Sequence, residues 1–291
     1  MYNYLDKYNT FLNRFNEKCD IAFSGLAENS PKSITDAMKY AVLDGGKRVR
    51  PVLCYATAEV LGVSLDEIDN IALALEIIHS YSLVHDDLPA MDNDDYRRGK
   101  LSTFKKFGEA NGILCGDALL NFAFEKALDK KEFSNNYILA VKTLFEYSGY
   151  NGMIAGQVLD LENEGKAFDE KVLLDIVLNK TAKLITAPLL CASILANYKY
   201  YEQLKQFGEY IGVLFQITDD ILDVEGTFES IGKTPNKDEK ANKMTFVSLY
   251  GLDVAKNKAK ELYNKAKKII SDIPNNQFLI DFTDKMYNRQ S

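Results

Sequence analysis

The stretch SLDEIDNIALALEIIHSYSLVHDDLPAMDNDD, residues 64–95, sets the fold class. Ser64 with Glu67 three residues on is a capping-box pattern, and Ile68, Ile71, Leu75 and Ile78 then recur at three- and four-residue intervals past Val84. That period predicts a helix of roughly twenty residues or more, about 30 Å long. It stops before Pro89, in a cluster of acidic side chains. A second long apolar stretch runs from about Tyr201 through Gly208, Gly212 and Phe215, and also ends acidic, at Asp219-Asp220-Ile221-Leu222-Asp223. Two such helices are expected to form the central pair of a large bundle. Ser30-Pro31 reads as an N-cap and first-turn proline, with the helix ending at Gly45-Gly46; the next helix runs from near Pro51 to Gly62. Alternating strand-like runs are hard to find, so the expected fold is all-α, a single domain over residues 1–291.

Composition narrows the function classes. The 291 residues are 46% hydrophobic and 26% charged, a globular balance that excludes disorder, collagen-like repeats and a disulfide miniprotein. Lys plus Arg is 35 against 42 Asp plus Glu, for a net charge of −7, so no nucleic-acid or anionic-membrane partner is expected, and an anionic ligand needs local basic groups or bridging cations. Cys19, Cys54, Cys115 and Cys191 are widely spaced without a CxxC pair and read as reduced core residues. Asp6 and Lys7 argue against a signal peptide, and the C-terminal Asn-Arg-Gln-Ser is no prenylation box. The longest uncharged run, residues 184–197, contains Pro188 and is too short for a membrane span of ~20 residues. A cytoplasmic protein is expected. The polar segment from Gly226 to Lys243, with Lys233, Lys237 and Lys240, reads as a mobile loop.

Either acidic cluster alone reads as a solvated helix end. Together they ask for something positive, because like charges at a helix C-terminus repel one another and face the negative end of the dipole. Asp219 and Asp223 lie one turn apart on one helix face, and Asp86, Asp87 and Asp92 end the other helix. Facing carboxylates of this kind suit a hard cation such as Mg²⁺ that shares its remaining positions with water and phosphate oxygens. A di-iron reading fails, since Glu76-x-x-His79 occurs once and His85 has no Glu three residues before it. Basic groups complete the pattern. Gly45-Gly46-Lys47-Arg48-Val49-Arg50-Pro51 places Lys47 and Arg50 at a helix start that already favours an anion, Arg97-Arg98 follows the first acidic cluster, and His79 lies on nearly the same stripe as Asp86.

With Gly116-Asp117-Ala118, Gly156-Gln157-Val158-Leu159-Asp160, Lys180-Thr181-Ala182 and Phe215-Gln216-Ile217-Thr218-Asp219-Asp220 added in order, the chain resembles the trans-polyprenyl diphosphate synthases, most closely their short-chain, farnesyl-forming bacterial branch. The likeness runs from about Pro31 to Gly251. It implies an isoprenoid-synthase bundle around a central cavity that condenses isopentenyl diphosphate with dimethylallyl or geranyl diphosphate. It also implies about three Mg²⁺ ions, two on Asp86 and Asp92 and one on Asp219, with Asp87, Asp220 and Asp223 in support. By the same resemblance Arg97, Lys180 and Lys233 bind the allylic diphosphate, Lys47, Arg50, His79 and Arg98 bind isopentenyl diphosphate, and Thr181 and Gln216 face the cleaving bond. Tyr81 and Ser82, before Asp86, are the chain-length positions, and a tyrosine there implies a C15 product. A homodimer is implied as well. The segment Asn242-Lys243-Met244-Thr245-Phe246-Val247 departs from the family, which usually starts it with Gly. The competing readings are a geranylgeranyl-forming or other short-chain synthase, a class I terpene cyclase, and a non-catalytic partner subunit. The second aspartate motif and the Lys47, Arg50 and His79 group argue against the cyclase, and the presence of both aspartate motifs argues against the inert subunit.

Overall fold

A computed structural model describes residues 2–26, 30–166, 169–225 and 244–289. The reading of residues 226–243 as a loop, and Lys233 and Lys243 within it, lie outside the described residues.

The described chain is helical almost throughout. Helices α1 (Tyr4–Ser24), α2 (Lys32–Leu43), α3 (Val49–Leu61) and α4 (Leu65–Asp86) are followed by a two-residue hairpin, β1 (Tyr96–Arg97) with β2 (Lys100–Leu101), paired Tyr96 to Leu101. Then come α5 (Thr103–Phe107), α6 (Glu109–Ala127), α7 (Asn135–Ser148), α8 (Met153–Asn163) and α9 (Glu170–Val177), which runs through a π turn (Leu178–Ala182) into α10 (Lys183–Leu195). The chain continues as α11 (Tyr201–Glu225), α12 (Phe246–Tyr250), α13 (Leu252–Ile269) and α14 (Gln277–Tyr287). Those bounds bear out an all-α fold with two long helices, α4 and α11, each ending in its acidic cluster.

Their partnership is different from the expected central pair. α4 packs chiefly on α6 and α3, whereas α11 packs on α13 and α10. The centre is α10, buried on every side, packed on the largely buried α3: Leu184, Ile185, Leu189, Leu190, Cys191 and Ile194 on one, Val52, Leu53, Cys54, Tyr55 and Ala58 on the other. A helix apolar all round belongs at the core, and α10 meets that condition although it is the shorter. All four cysteines are buried and free, as expected.

Two helix starts also differ. Ser64 caps α4 by position, but its side chain makes no capping bond, and the Glu67 carboxylate that would complete the box is turned to Lys130 at 2.9 Å. The charge-assisted partner outcompetes a neutral backbone donor. At α2 the cap is Pro31, whose carbonyl accepts from Ile34 and Thr35, so the helix begins one residue later than expected.

The π turn is where neighbouring helices come closest. A Cβ on Gly156 of α8 would lie 2.0 Å from the Lys180 nitrogen, and one on Gly212 of α11 would lie 2.4 Å from the Ala182 Cα. Only glycine lets both backbones press on the turn. Gly212→Ala is therefore expected to lower stability by about 1–3 kcal/mol through overpacking, read as a shift in the urea midpoint; an unshifted midpoint would show that α11 can move off the turn freely.

Candidate active site

A cavity of about 710 Å³ opens between α1, α3, α4, α11 and α14. Lys47, Arg48, Arg50, His79, Arg97, Arg98, Lys285 and Arg289 line it, with Glu76 as its carboxylate. Its floor is the loop before α3. Gly45 and Gly46 have φ of +101° and +120°, and Arg48 is left-handed at +50°. Three side chains hold that backbone. Arg98 donates to the Gly45 carbonyl at 2.6 Å, the Tyr8 hydroxyl donates to the Lys47 carbonyl, and buried Arg48 donates to Glu76 Oε1 at 2.9 Å and to the Val42 carbonyl. A Cβ on Gly46 would lie 2.9 Å from Arg98 Cζ, so this glycine serves a close approach as well as a positive φ.

Arg48, Glu76 and Tyr8 were not singled out as site residues by sequence reasoning. Glu76 appears there only within a Glu-x-x-His pattern whose metal reading fails, and its role, neutralising Arg48 across 28 residues of chain, leaves no local signal. The expected residues Lys47, Arg50, His79 and Arg98 all come together on this cavity. Burial pushes the Arg50 guanidinium down to about 10, with Arg98 adding to the effect and Glu76 opposing it. Its Nε is buried without a hydrogen-bond partner. Burial, then Arg50, Arg98, Arg97 and Arg48, hold the His79 imidazole well below its ordinary range, so it stays neutral and can still donate one N–H. A basic enclosure with an unpaired donor is built for an anion.

The acidic side begins at Asp86, whose carboxyl is pushed up to about 6 by burial and by Asp92 and Asp87, against the pull of Lys180 and Arg97. The turn after α4 folds back so that the Asp92 amide donates to the Asp86 carbonyl at 2.8 Å. Asp87 is buried and gripped by the Arg97 fork, with Nε to Oδ1 at 3.0 Å. Arg97 also lies 3.6 Å from Asp94, so it spends much of its hydrogen-bonding capacity on positioning the aspartates. Tyr81 is buried five residues before Asp86 and packs edge-on against His85, one turn on, at 6.0 Å, while the Ser82 hydroxyl turns back to the His79 carbonyl at 2.9 Å.

The π turn joins this side to α11. Lys180 pairs with Asp160 at 2.6 Å, a partner that sequence reasoning quoted within a motif without giving it a role. Thr181 donates to Gln216 Oε1 at 3.2 Å, Gln216 donates to Asp220 Oδ1 at 2.9 Å, and the Phe246 amide donates to Asp220 Oδ2 at 2.8 Å. Lys180, Thr181, Gln216, Asp160 and Asp220 line a second cavity of about 130 Å³. Asp220 is thus a buried strut that fixes Gln216 and the start of α12, while Asp219, on the neighbouring face, receives Arg289 at 2.7 Å. Lys180 acting on Asp86 and Asp219 acting on Lys47 tie both acidic helix ends to the region around the basic cavity.

Among the described residues, no three acidic, histidine or cysteine side chains converge tightly enough to cage an ion unaided. Carboxylates spread along two helix ends, with Asp86 held up near 6 by burial and by Asp92 and Asp87, fit an ion that keeps water and phosphate ligands, which is the habit of Mg²⁺.

The Polyprenyl synthetase family matches residues 31–277. A farnesyl diphosphate synthase of Micrococcus luteus is 43% identical over 89% of this chain and 90% of its own. A chloroplastic geranylgeranyl pyrophosphate synthase of Capsicum annuum is 42% identical over 82% of this chain and 66% of its own. The crystal structure of a geranyltransferase from Helicobacter pylori complexed with magnesium and isoprenyl diphosphate superposes with a TM-score of 0.86 at 33% identity, covering 99% of this chain and 97% of that one. With aspartate clusters on two helices and a basic cavity between them, and with these relatives matched along nearly its whole length, the chain belongs to the polyprenyl synthetase family.

Proposed function

We propose that the chain, one domain over residues 1–291, condenses isopentenyl diphosphate with dimethylallyl and geranyl diphosphate to form mainly farnesyl diphosphate. The observation that carries this reading is two unlike sites on the same two helices. One is a basic cavity lined by His79 and Leu83 of α4 and Phe215 of α11, and the other is the pair of acidic ends of α4 and α11. A single-substrate cyclase has no use for the first.

Asp86 and Asp92 would hold two Mg²⁺ ions and Asp219, supported by Asp223, a third, about three in all. Bound there, Mg²⁺ supplies positive charge against the diphosphate that leaves the allylic substrate. Arg97, Lys180 and Lys233 add further cations to that diphosphate. Asp87 and Asp160 keep Arg97 and Lys180 oriented, an arrangement supported by their short ion pairs. Lys47, Arg50, His79 and Arg98 bind the diphosphate of isopentenyl diphosphate, with His79 as a neutral donor among cations. Thr181 and Gln216 present oxygens to the allylic cation, and Asp220 fixes the Gln216 amide so that its oxygen faces the reacting carbon. The apolar walls keep water from the cation. No side-chain nucleophile is required, and the released diphosphate accepts the last proton.

Tyr81, buried against His85 five residues before Asp86, is the side chain that ends growth at fifteen carbons. The second reading, a geranylgeranyl-forming synthase, is kept open by the Capsicum relative. A homodimer is supported by exposed apolar side chains, Ile113, Leu114 and Phe124 on α6 and Ile138 and Leu139 on α7, with Phe124 packed against Phe145 of α7 at 5.3 Å. No helix among the described residues is long and apolar enough to cross a membrane, which is in keeping with a cytoplasmic enzyme.

Incubation of the purified chain with isopentenyl diphosphate, each allylic diphosphate and Mg²⁺ is expected to yield a C15 diphosphate; a cyclised hydrocarbon, or nothing, would overturn the proposal. Asp86→Ala and Asp219→Ala are each expected to cut turnover by roughly 10²–10³-fold or more with the far-ultraviolet circular dichroism unchanged. Tyr81→Ala should shift products to C20 and beyond, and a C15 product from that variant removes Tyr81 as the stop. Loss of one hydrogen bond in Tyr8→Phe should raise KM for isopentenyl diphosphate about two- to tenfold through the Lys47 loop, with KM for geranyl diphosphate unmoved.

A further inference from the structure

Arg289 lies two residues past the end of α14, yet its Nη1 donates to Asp219 Oδ1 at 2.7 Å. Its guanidinium rests on the ring of Phe215, one turn earlier on α11, 4.8 Å from the centroid. The two side chains are 23% and 31% exposed, so the pair sits at the cavity margin, partly shielded from solvent. The helix that delivers Arg289 is firmly held. Lys267 and Tyr263 both donate to Asp284, at 2.7 and 2.8 Å, and Tyr263 stacks on Tyr287 at 4.6 Å.

This geometry sets up a competition. Mg²⁺ binds a carboxylate oxygen at about 2.0–2.1 Å, and a guanidinium nitrogen hydrogen-bonded to the same oxygen stands where the ion's hydration shell would go. Two cations that close repel strongly when half-buried. An ion arriving at Asp219 therefore meets a carboxylate that already has a positive partner, one pre-positioned by an aromatic face.

We propose that Arg289 is a placeholder cation for Asp219: it neutralises the carboxylate when the metal is away, must be displaced before a divalent ion binds there, and so sets how much metal the enzyme needs. This rests on the reading of Asp219 as a metal ligand. Arg289 is a positioning residue in this role, acting on the ion only through the aspartate it occupies.

The test is titration of the full chain with Mn²⁺, alone and with one equivalent of inorganic pyrophosphate, with free Mn²⁺ followed by electron paramagnetic resonance. Wild type, Arg289→Gln, Arg289→Lys and Asp219→Asn are compared. Arg289→Gln is expected to bind the ion at this site about three- to tenfold more tightly than wild type, Arg289→Lys to stay near wild type, and Asp219→Asn to lose that binding component. If Asp219→Asn loses the component while Arg289→Gln binds as weakly as wild type or more weakly, the placeholder role is wrong and the metal reading of Asp219 stands. If Asp219→Asn binds like wild type, the metal reading itself falls, and the placeholder with it. Thermal melting of each variant without metal identifies any that has simply unfolded.

Discussion

Like charges have been gathered in two places where they repel, and a firm apolar frame keeps them there. Around the larger cavity burial, then Arg50, Arg98 and Arg97, lower His79, and burial with Arg98 displaces Arg50 downwards. At the end of α4, burial, with Asp92 and Asp87 beside it, raises Asp86. Each site is short of counter-charge in a partly desolvated setting, and a diphosphate with its metal ions would offer both signs at once. The binding energy of such a ligand is available because the fold has already met the cost of assembling the site.

The frame that meets that cost is the α3 and α10 core with the buried Arg48–Glu76 pair at its edge. A buried pair of this kind is seldom a net source of stability, but removing either partner strands the other charge at a cost of about 3–5 kcal/mol. Its effect here is geometric. It locks the left-handed Arg48 to α4, so that Lys47 and Arg50 project into the same space as His79. Lys180 and Thr181 owe their placement to a different device, a π turn pressed between two glycines, which widens the helix where both side chains are needed.

Several charged residues turn out to have two duties. Arg97 grips Asp87 and still faces the cavity, and Asp220 holds Gln216 and the Phe246 amide together. Such struts explain why neighbouring aspartates in one motif are not interchangeable. Asp86 and Asp219 are half-buried, whereas Asp87 and Asp220 are buried and held by Arg97 and Gln216. The same pattern recurs on both helices.

The order of motifs along the chain was enough to determine the helical fold, the family chemistry and most of the residues that come together, because helix periodicity and motif spacing are local properties. Lys47, Arg50, His79, Arg97 and Arg98 were all legible in that way. What only the tertiary structure decided depends on contacts between segments far apart in the chain. Glu76 serves Arg48, α3 and α10 instead of α4 and α11 form the central pair, and the Tyr8 hydroxyl and Arg289 guanidinium reach the site from opposite ends of the sequence. A charge or a hydroxyl looks the same in sequence whether it meets water or a partner, and packing alone chooses between them.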